Sequence, residues 1–262
     1  MKTLKTLAFI FCTISIIAQP GTWKQLGKAG DWKQTMKAVE AYGKLYTVET
    51  SGVLFETDVA TGFWKKIGVP DYGNTKFIFA ENNLLYTIET TGSLYVINPA
   101  DGKWKGLGKP GEWKNTIAVT TLNGKLYSVE SNGALYVTDL NTAAWIQIGK
   151  PEFAATMKLI SANGKLYSIE TSGHLYEIDP ASGAWKQIGT PGTYKQTIAA
   201  VVSNNLLYTV ETSGALYETD LSTGKWKQVG KPDFAATLFL TAGTDKLHSI
   251  ESSGSLYEIN VK

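Results

Sequence analysis

The stretch GKWKGLGKPGEWKNTIAVTTLNGKLYSVESNGALYVTDLNT, residues 102–142, decides the fold because the chain contains six versions of it. The copies begin near residues 22, 63, 103, 144, 184 and 225, and each carries the phrase Trp-x-x-(Ile/Leu/Val)-Gly. The tryptophans of this phrase, alternately 41 and 40 residues apart, are Trp23, Trp64, Trp104, Trp145, Trp185 and Trp226. A fixed period of this length is typical of repeat proteins, in which each unit buries its faces against its neighbours.

One copy contains four short runs with strand character and no helical periodicity of useful length. The runs are TIAVTTL from Thr116, KLYSVES from Lys125, ALYVTD from Ala134 and AWIQIG from Ala144. Asn123-Gly124 separates the first two runs, and this dipeptide favours a type I′ hairpin because both residues accept positive φ. Four antiparallel strands in about 40 residues make one blade of a β-propeller. We therefore predict an all-β fold, a six-bladed β-propeller of four-stranded antiparallel blades.

The two ends of the repeat region complement each other. After residue 18 the chain begins with GTWKQLG, a fourth strand without the three that should precede it. It ends with TLFLTAG, KLHSIES and SLYEINVK, a blade without its fourth strand. If the N-terminal strand completes the last blade, the ring closes and no large strand edge stays unpaired. The prediction is a single domain, residues 19–262, closed in this way.

The first 18 residues, MKTLKTLAFIFCTISIIA, have the pattern of a secretory signal peptide. They carry two lysines, an apolar run that is too short to span a membrane, and Ala18 before Gln19-Pro20. We therefore expect a secreted, periplasmic or cell-surface protein without membrane insertion. Cys12 is the only cysteine and lies within this segment, so the mature chain has no disulfide.

The charge of the chain argues against a nucleic-acid partner. The 25 basic residues are all lysine, and removing Lys2 and Lys5 with the signal peptide leaves 23 against 23 acidic residues. Proteins that bind nucleic acids use basic patches and the forked guanidinium of arginine. A mature chain with a net charge of zero and no arginine does not fit that class.

Two polar positions are identical in all six copies, and both are predicted on the face that carries the loops between blades. One is the threonine that begins the first strand of a blade: Thr35, Thr75, Thr116, Thr156, Thr197 and Thr237. The other is the glutamate that ends the second strand: Glu49, Glu89, Glu130, Glu170, Glu211 and Glu251. Such carboxylates either accept hydrogen bonds from backbone N–H groups of tight turns or nearby loops, or form a ring of acceptors for sugar hydroxyls.

The loops between blades alternate between two forms. Odd copies carry one extra glycine: Gly30, Gly111 and Gly192. They place an aromatic residue beside a lysine: Trp32 with Lys33, Trp113 with Lys114, and Tyr194 with Lys195. Even copies carry a shorter loop with Tyr72, Phe153 or Phe234. These aromatics either stack on the apolar face of a pyranose, with polar neighbours binding hydroxyls, or cap the interfaces between blades; the alternation predicts three strong sites or six.

The order Trp104, Leu107-Gly108, Gly111, Trp113 and Gly124-Lys125-Leu126-Tyr127 resembles the repeat of the tachylectin-type β-propeller lectins. The resemblance extends, copy by copy, over nearly the whole mature chain. It implies a non-enzymatic binder of N-acetylated sugars with one pocket per blade between neighbouring blades. The family members compared have five blades and a Gly-Gly in the loop, where this chain has six copies and Pro-Gly.

The sequence contains no arrangement typical of catalysis or of a cofactor. His174 and His248 are isolated and have no cysteine or repeated aspartate beside them to build a metal site. The sequence also lacks a nucleophile elbow, a phosphate-binding loop and a dinucleotide fingerprint. Six glutamates in one environment do not supply the two different environments that a hydrolase needs. We therefore expect no enzyme, no cofactor and no metal.

These observations predict an exported lectin that binds glycans at several equivalent sites on one propeller face. The alternative is a propeller scaffold that binds a protein or peptide across the same face or in the channel. A hydrolase is the third class considered.

Overall fold

The computed structural model describes residues 19–262, so the predicted signal peptide, residues 1–18, lies outside the described residues. Residues 19–262 form 24 β-strands in six four-stranded antiparallel sheets. In this part of the chain no helix is long and apolar enough to cross a lipid bilayer. The predicted six-bladed propeller is confirmed. We call the strands of each blade a to d, from the channel outward.

Strand bounds repeat closely from blade to blade. Blade 1 comprises β2 (Thr35–Ala41), β3 (Lys44–Glu49), β4 (Leu54–Asp58) and β5 (Trp64–Ile67). Blade 2 comprises β6 (Thr75–Glu81), β7 (Leu84–Glu89), β8 (Leu94–Ile97) and β9 (Trp104–Leu107). Blade 3 comprises β10 (Thr116–Leu122), β11 (Lys125–Glu130), β12 (Leu135–Asp139) and β13 (Trp145–Ile148).

The second half of the ring has the same plan. Blade 4 comprises β14 (Thr156–Ala162), β15 (Lys165–Glu170), β16 (Leu175–Ile178) and β17 (Trp185–Ile188). Blade 5 comprises β18 (Thr197–Ser203), β19 (Leu206–Glu211), β20 (Leu216–Asp220) and β21 (Trp226–Val229). Blade 6 comprises β22 (Thr237–Ala242), β23 (Lys246–Glu251), β24 (Leu256–Asn260) and, as its strand d, β1 (Trp23–Leu26).

The N-terminal strand closes the ring, as predicted. β1 pairs antiparallel with β24 from Trp23 opposite Ile259 to Leu26 opposite Leu256. The N–H of Gly21 donates to the carbonyl of Asn260 at 2.7 Å, extending the pairing beyond the strand. The first and last strands of residues 19–262 are therefore held in one blade, which has the same four strands as the other five.

Strands a and b are joined by hairpins whose turn residues adopt positive φ. Asn123 and Gly124 have φ of 52° and 76°, which is the predicted two-residue geometry. Blades 2 and 5 reach the same geometry with Asn-Asn pairs; Asn82 and Asn83 have φ of 51° and 61°. Asparagine tolerates this region better than most residues.

The hydrophobic core lies between neighbouring blades. The side chains of Leu26, Trp32 and Leu45 pack with those of Ile250 and Leu256, joining blade 6 to blade 1. Comparable clusters join the other blades. Fully burying a Leu or aromatic side chain contributes about 1.5–3 kcal/mol, so these interfaces stabilise the ring without disulfides.

Each loop that enters a blade is anchored to the preceding blade. The loop aromatic donates its backbone N–H to the carbonyl of the glycine in the preceding b–c turn; for Trp113 and Gly92 the N–O distance is 3.0 Å. A Cβ atom on Gly92 would lie 2.3 Å from the backbone N of Lys114, and the φ of Gly92 is 85°. The glycine of the Glu-x-x-Gly turns is therefore needed both for its φ and for the close approach of the loop.

Candidate functional site

The loop aromatics are buried between blades, which is the second of the two alternatives that the sequence left open. Each is no more than 3% exposed: Trp32, Tyr72, Trp113, Phe153, Tyr194 and Phe234. Trp32 packs against Gly27 at the end of the preceding blade, where an added Cβ would lie 2.6 Å from the indole ring. Tyr72 donates its hydroxyl to the carbonyl of Gly102 at 2.6 Å. An open stacking surface at these six rings, as the first alternative required, is therefore absent.

The lysines beside the loop aromatics were predicted to bind sugar with them, but they do not line the adjacent depressions. Lys33, Lys114 and Lys195 have solvent-exposed side chains. The residues that line the adjacent depressions are instead the amides that follow them: Gln34, Asn115 and Gln196. The lysines stay candidates only as peripheral contacts to a larger ligand.

The six glutamates occupy equivalent positions at the end of strand b, where Glu49, Glu89, Glu211 and Glu251 are buried and Glu130 and Glu170 are partly buried. In four blades the strand-a threonine donates to the carboxylate, with Oγ1–Oε1 distances of 2.6–2.9 Å for Thr35–Glu49, Thr116–Glu130, Thr197–Glu211 and Thr237–Glu251. Their partner is thus a threonine hydroxyl rather than the backbone N–H of a tight turn. Each carboxylate uses one oxygen in this bond and has acceptor capacity left for a ligand.

Burial raises the pKa of each of these glutamates: Glu49, Glu89, Glu130, Glu170, Glu211 and Glu251. The threonine hydrogen bond opposes the shift by favouring the charged form, as it does for Glu211. The six blades therefore carry six carboxylate acceptors of similar character, one at the end of each strand b.

Four of the glutamates, Glu49, Glu89, Glu130 and Glu211, line a small depression formed by one blade and the loop that leads into it. In blade 1 the depression has a volume of about 210 Å³ and is lined by Asp31, Gln34, Glu49, Phe55 and Trp64, among others. Blades 2, 3 and 5 have equivalent depressions of about 210–220 Å³. This volume is below the range of pockets for drug-sized ligands and fits a compact group such as a single sugar ring.

The outer wall of the depression is an aromatic pair that sequence analysis did not assign as a pair. The strand-d tryptophan meets an aromatic of strand c edge to face, with centroid distances of 4.3–4.9 Å. The pairs are Trp23–Tyr257, Phe55–Trp64, Tyr95–Trp104, Tyr136–Trp145, Tyr176–Trp185 and Tyr217–Trp226. These tryptophans are 39–47% exposed. They, rather than the loop aromatics, offer ring surface to a ligand.

An acidic residue in the entering loop orients the tryptophan. The indole Nε1–H of Trp64 donates to Asp31 at 3.3 Å, and that of Trp185 donates to Glu152 at 2.9 Å. Trp23 and Trp104 make the same bond to Asp233 and Asp71. Blade 5 has Thr193 at this position. The carboxylate of the loop thus positions the ring and adds a second polar group to the rim.

The two histidines have different surroundings. His174 is half-buried, bonds Ser172 through Nδ1 at 2.7 Å and stacks on Tyr176, which belongs to the aromatic pair of blade 4. The sequence predicted an isolated His248, but its Nδ1 lies 2.8 Å from Glu40 Oε2 within the interface of blades 6 and 1. Among residues 19–262 no group of three or more His, Cys, Asp or Glu is placed to hold a metal ion.

A signal for the missed pairs exists in the sequence. Strand c carries an aromatic residue after its leucine in every copy, as in Leu54-Phe55 and Leu94-Tyr95. In the observed register Thr47 lies opposite Phe55, which puts Phe55 on the same side of the sheet as Glu49. Reading the alternation of side chains across strands b, c and d would therefore have separated these aromatics from the interface-filling tyrosines of strand b.

Replacing Glu211 with Gln is expected to raise the melting temperature relative to wild type, and increasingly so from about pH 4 to pH 7. Because its folded-state pKa is raised, protonated Glu211 stabilises the fold below the ordinary value of 4.5, and this contribution is lost as pH rises through the folded pKa. Gln does not titrate and can still accept from Thr197. Thermal unfolding across this pH range measures the difference.

Asp179 provides the matched control with the opposite sign. Its pKa is lowered, first by the hydrogen bond from Lys165 and then by backbone N–H groups, so its stabilising effect is present above 3.8 and lost on acidification. Asp179→Asn should therefore lower the melting temperature by a constant amount between about pH 5 and pH 7. If the difference in melting temperature between Glu211→Gln and the wild type were equally independent of pH, the burial of a charged carboxylate at Glu211 would be contradicted.

Comparisons with known proteins identify the fold and no family. No family model matches the chain, and no curated protein matches it. Among solved structures, a Bacteroides thetaiotaomicron protein of unknown function is similar with a TM-score of 0.69 and 15% identity, over 93% of this chain and 73% of that one. Virginiamycin B lyase from Staphylococcus aureus is similar with a TM-score of 0.61 and 14% identity, over 92% and 89% of the two chains.

A third similar structure is YCF48 bound to D1 peptide, with a TM-score of 0.62 and 16% identity, over 87% of this chain and 78% of that one. At these identities the likeness shows the fold alone. The three proteins also differ in what their names describe, since one is a lyase and one holds a peptide. The chain is thus a β-propeller scaffold, and its function has to be argued from its own site.

Proposed function

We propose that this protein is a non-enzymatic carbohydrate-binding protein with one site at the equivalent position of each blade, beside the strand-b glutamate. The observation that carries the proposal is the combination of a half-exposed tryptophan, a buried glutamate and an amide around a depression of about 210 Å³ in blade 1. Equivalent residues build the same combination in blades 2 and 3. A sugar ring has an apolar face for the aromatic ring and hydroxyls for the acceptors. Glycans are the proposed ligands, with N-acetylated sugars the first to test.

The individual groups have distinct proposed roles. The indole of Trp64 packs against the sugar face, while Asp31 holds that indole in place. Glu49 accepts from a sugar hydroxyl through the capacity left by Thr35. The Gln34 amide both donates and accepts and completes the rim. A carboxylate acceptor roughly doubles the strength of a neutral hydrogen bond, which favours hydroxyl-rich ligands.

Repetition compensates for weak single sites. Each depression is shallow, so the affinity for one sugar is expected to be low. Six blades on one closed ring hold their sites at fixed distances, and simultaneous engagement of a glycan-coated surface raises the overall affinity by about 10²–10⁴-fold. This fits the proposed location, a secreted, periplasmic or cell-surface protein.

Binding without catalysis is part of the proposal. A similar structure is that of a lyase, but an identity of 14% carries only the fold to this chain. In blades 1 and 2 the loop carboxylate of the depression accepts from an indole, as Asp31 does from Trp64, and in blade 3 Glu112 accepts from the backbone N–H of Lys109. The glutamates have similar environments, since burial raises the pKa of all six, whereas a general acid and a general base need different ones.

A glycan array tests the proposal with a variant that the fold tolerates. Trp64→Ala, Trp145→Ala and Trp226→Ala together remove the exposed rings from blades 1, 3 and 5, which are 41%, 39% and 47% exposed. Because multivalent retention depends on the number of engaged sites, the triple variant should lose most of the array signal of residues 19–262. The wild type should bind defined glycans and be released by the free monosaccharide.

The matched control removes three exposed apolar side chains outside the depressions: Phe63→Ala, Val69→Ala and Ile146→Ala. It should bind as the wild type does. If the wild type binds no glycan, or if the triple tryptophan variant binds undiminished, the proposal fails. The alternative, a scaffold for a protein or peptide, would then be pursued with the same variants.

A further inference from the structure

The innermost strands carry a cluster of lysines at one end of the central channel. Lys37 and Lys158 are each two residues after the threonine that begins strand a, in blades 1 and 4, and Lys76 is one residue after it in blade 2. Strand a packs against strand a of the next blade around the ring. Blades 1 and 4 therefore face each other across the channel, and a rise of about 3.3 Å per residue keeps all three side chains near the same end.

Lys37 and Lys158 lack carboxylate partners among residues 19–262. No ion pair or hydrogen bond joins the ammonium of Lys37 or Lys158 to a described group, and Lys76 donates to the backbone carbonyl of Lys114 at 3.3 Å. Burial lowers the pKa of Lys37 and Lys158, and the neighbouring charges, Lys76 for Lys37 and Lys37 for Lys158, lower it further. Of nearby carboxylates, Glu130 lies within electrostatic reach of Lys76.

The acidic residues of the innermost strands do not neutralise this cluster. Glu40 and Glu81 lie near the opposite ends of their strands, beside a channel cavity of about 480 Å³. Glu40 accepts from Thr241 and pairs with His248 at 2.8 Å for both contacts. Glu81 accepts from the backbone N–H of Gly124 at 2.9 Å. Both carboxylates are therefore engaged away from the lysines.

The side chains beside the cluster are apolar. At the position of Lys37 and Lys158 the other blades carry Phe77, Ala118, Ala199 and Phe239. Ammonium groups among apolar neighbours have lost part of their hydration, and an unpaired charge in such a place costs free energy. A bound anion would offset that cost, since charge-assisted hydrogen bonds are the strong ones.

We propose that the channel end at which Lys37, Lys76 and Lys158 converge binds a compact oxyanion: a sulfate, a phosphate or a carboxylate group. The ammonium groups of Lys37 and Lys158 come from opposite blades, and Lys76, which also donates to the Lys114 carbonyl, adds positive charge beside them. Such a cluster suits a ligand with several acceptor oxygens. The site is distinct from the blade depressions, because none of the three lysines lines them. It breaks the repeat, since the channel position is lysine in blades 1 and 4 and uncharged in the others.

The test is calorimetric titration of residues 19–262 with inorganic sulfate, inorganic phosphate and citrate at constant ionic strength. Saturable binding of one anion per chain is expected, and the anion that binds most tightly identifies the acidic group. In Lys37→Ala/Lys158→Ala the affinity should fall about tenfold for each lysine removed. Alanine is the residue that blades 3 and 5 carry at this position, which favours correct folding of the variant.

The matched control is Lys33→Ala/Lys195→Ala, which removes two exposed lysines from the loops between blades while leaving the channel intact. It should bind the anion as the wild type does. If the double alanine variant unfolds, the single variants Lys37→Gln and Lys158→Gln serve as less disruptive substitutions for the same titrations. Absence of saturable binding by all three anions, or equal affinity in the wild type and Lys37→Ala/Lys158→Ala, would overturn the proposal.

Discussion

Deleting residues 19–30 is expected to lower the melting temperature by about 4–18 °C and to cause aggregation. The deletion removes β1 and the burial of Leu26, and it exposes the edge of β24 from Leu256 to Ile259. Loss of one buried leucine costs about 1.5–3 kcal/mol, and loss of the Trp23–Tyr257 contact costs about 0.5–1.5 kcal/mol more. At about 2–4 °C per kcal/mol, thermal unfolding and size-exclusion chromatography would detect the change.

Relocating the same strand provides the control. A chain that begins at Asp31 and carries residues 21–30 after Lys262, joined through a copy of the Asp220–Gly224 loop, gives blade 6 a continuous strand order from a to d. It should melt close to the wild type because the β1–β24 pairing is kept. Full stability of the simple deletion would contradict the closure account, as would failure of the relocated strand to restore it.

Trp32→Ala is expected to destabilise the protein by about 3–5 kcal/mol, the usual cost of removing a large buried aromatic. The indole is 3% exposed and packs with Leu26 and Leu256 between blades 6 and 1. Denaturant unfolding monitored by circular dichroism measures the change. If Trp113→Ala and Tyr194→Ala are added to this substitution, the total loss of unfolding free energy should approach the whole stability of a typical domain. That triple variant would therefore lose binding through unfolding, whatever the ligand.

Trp64→Ala is the matched comparison, because it removes the same side chain from a half-exposed position in the same part of the ring. Its ring is 41% exposed and makes one edge-to-face contact, with Phe55. The expected cost is about 1 kcal/mol. Equal costs for Trp32→Ala and Trp64→Ala would contradict the assignment of one ring to the interface and the other to the site.

The fold followed from the sequence because its determinants are local and repeated. Turn residues such as Asn123-Gly124 specify hairpins through their φ preference, and the 40-residue period counts the blades. The closure by β1 followed from strand order alone. None of these steps required knowledge of side-chain burial.

The candidate site was predicted less well because it depends on which side of a loop or strand faces a neighbour. Trp113 stands in a polar loop and looks exposed in the sequence, yet its backbone bond to Gly92 turns the ring into the blade interface. Every copy has a glutamate at the position of Glu130 and a threonine at that of Thr116, and both were correctly predicted on the same face of the ring. Thr116 Oγ1 lies 2.6 Å from Glu130 Oε1. The exposed member, Trp145, could be assigned to the site only once the sheet register was known.

The most direct test of the central claim is the number of monosaccharides bound per chain, measured by calorimetric titration with the sugar that releases the protein from the array. Repeated blade sites predict that each chain binds several monosaccharides, up to six, and that Trp64→Ala/Trp145→Ala/Trp226→Ala binds three fewer. One equivalent per chain, unchanged in that variant, would contradict the account and place the ligand in the channel.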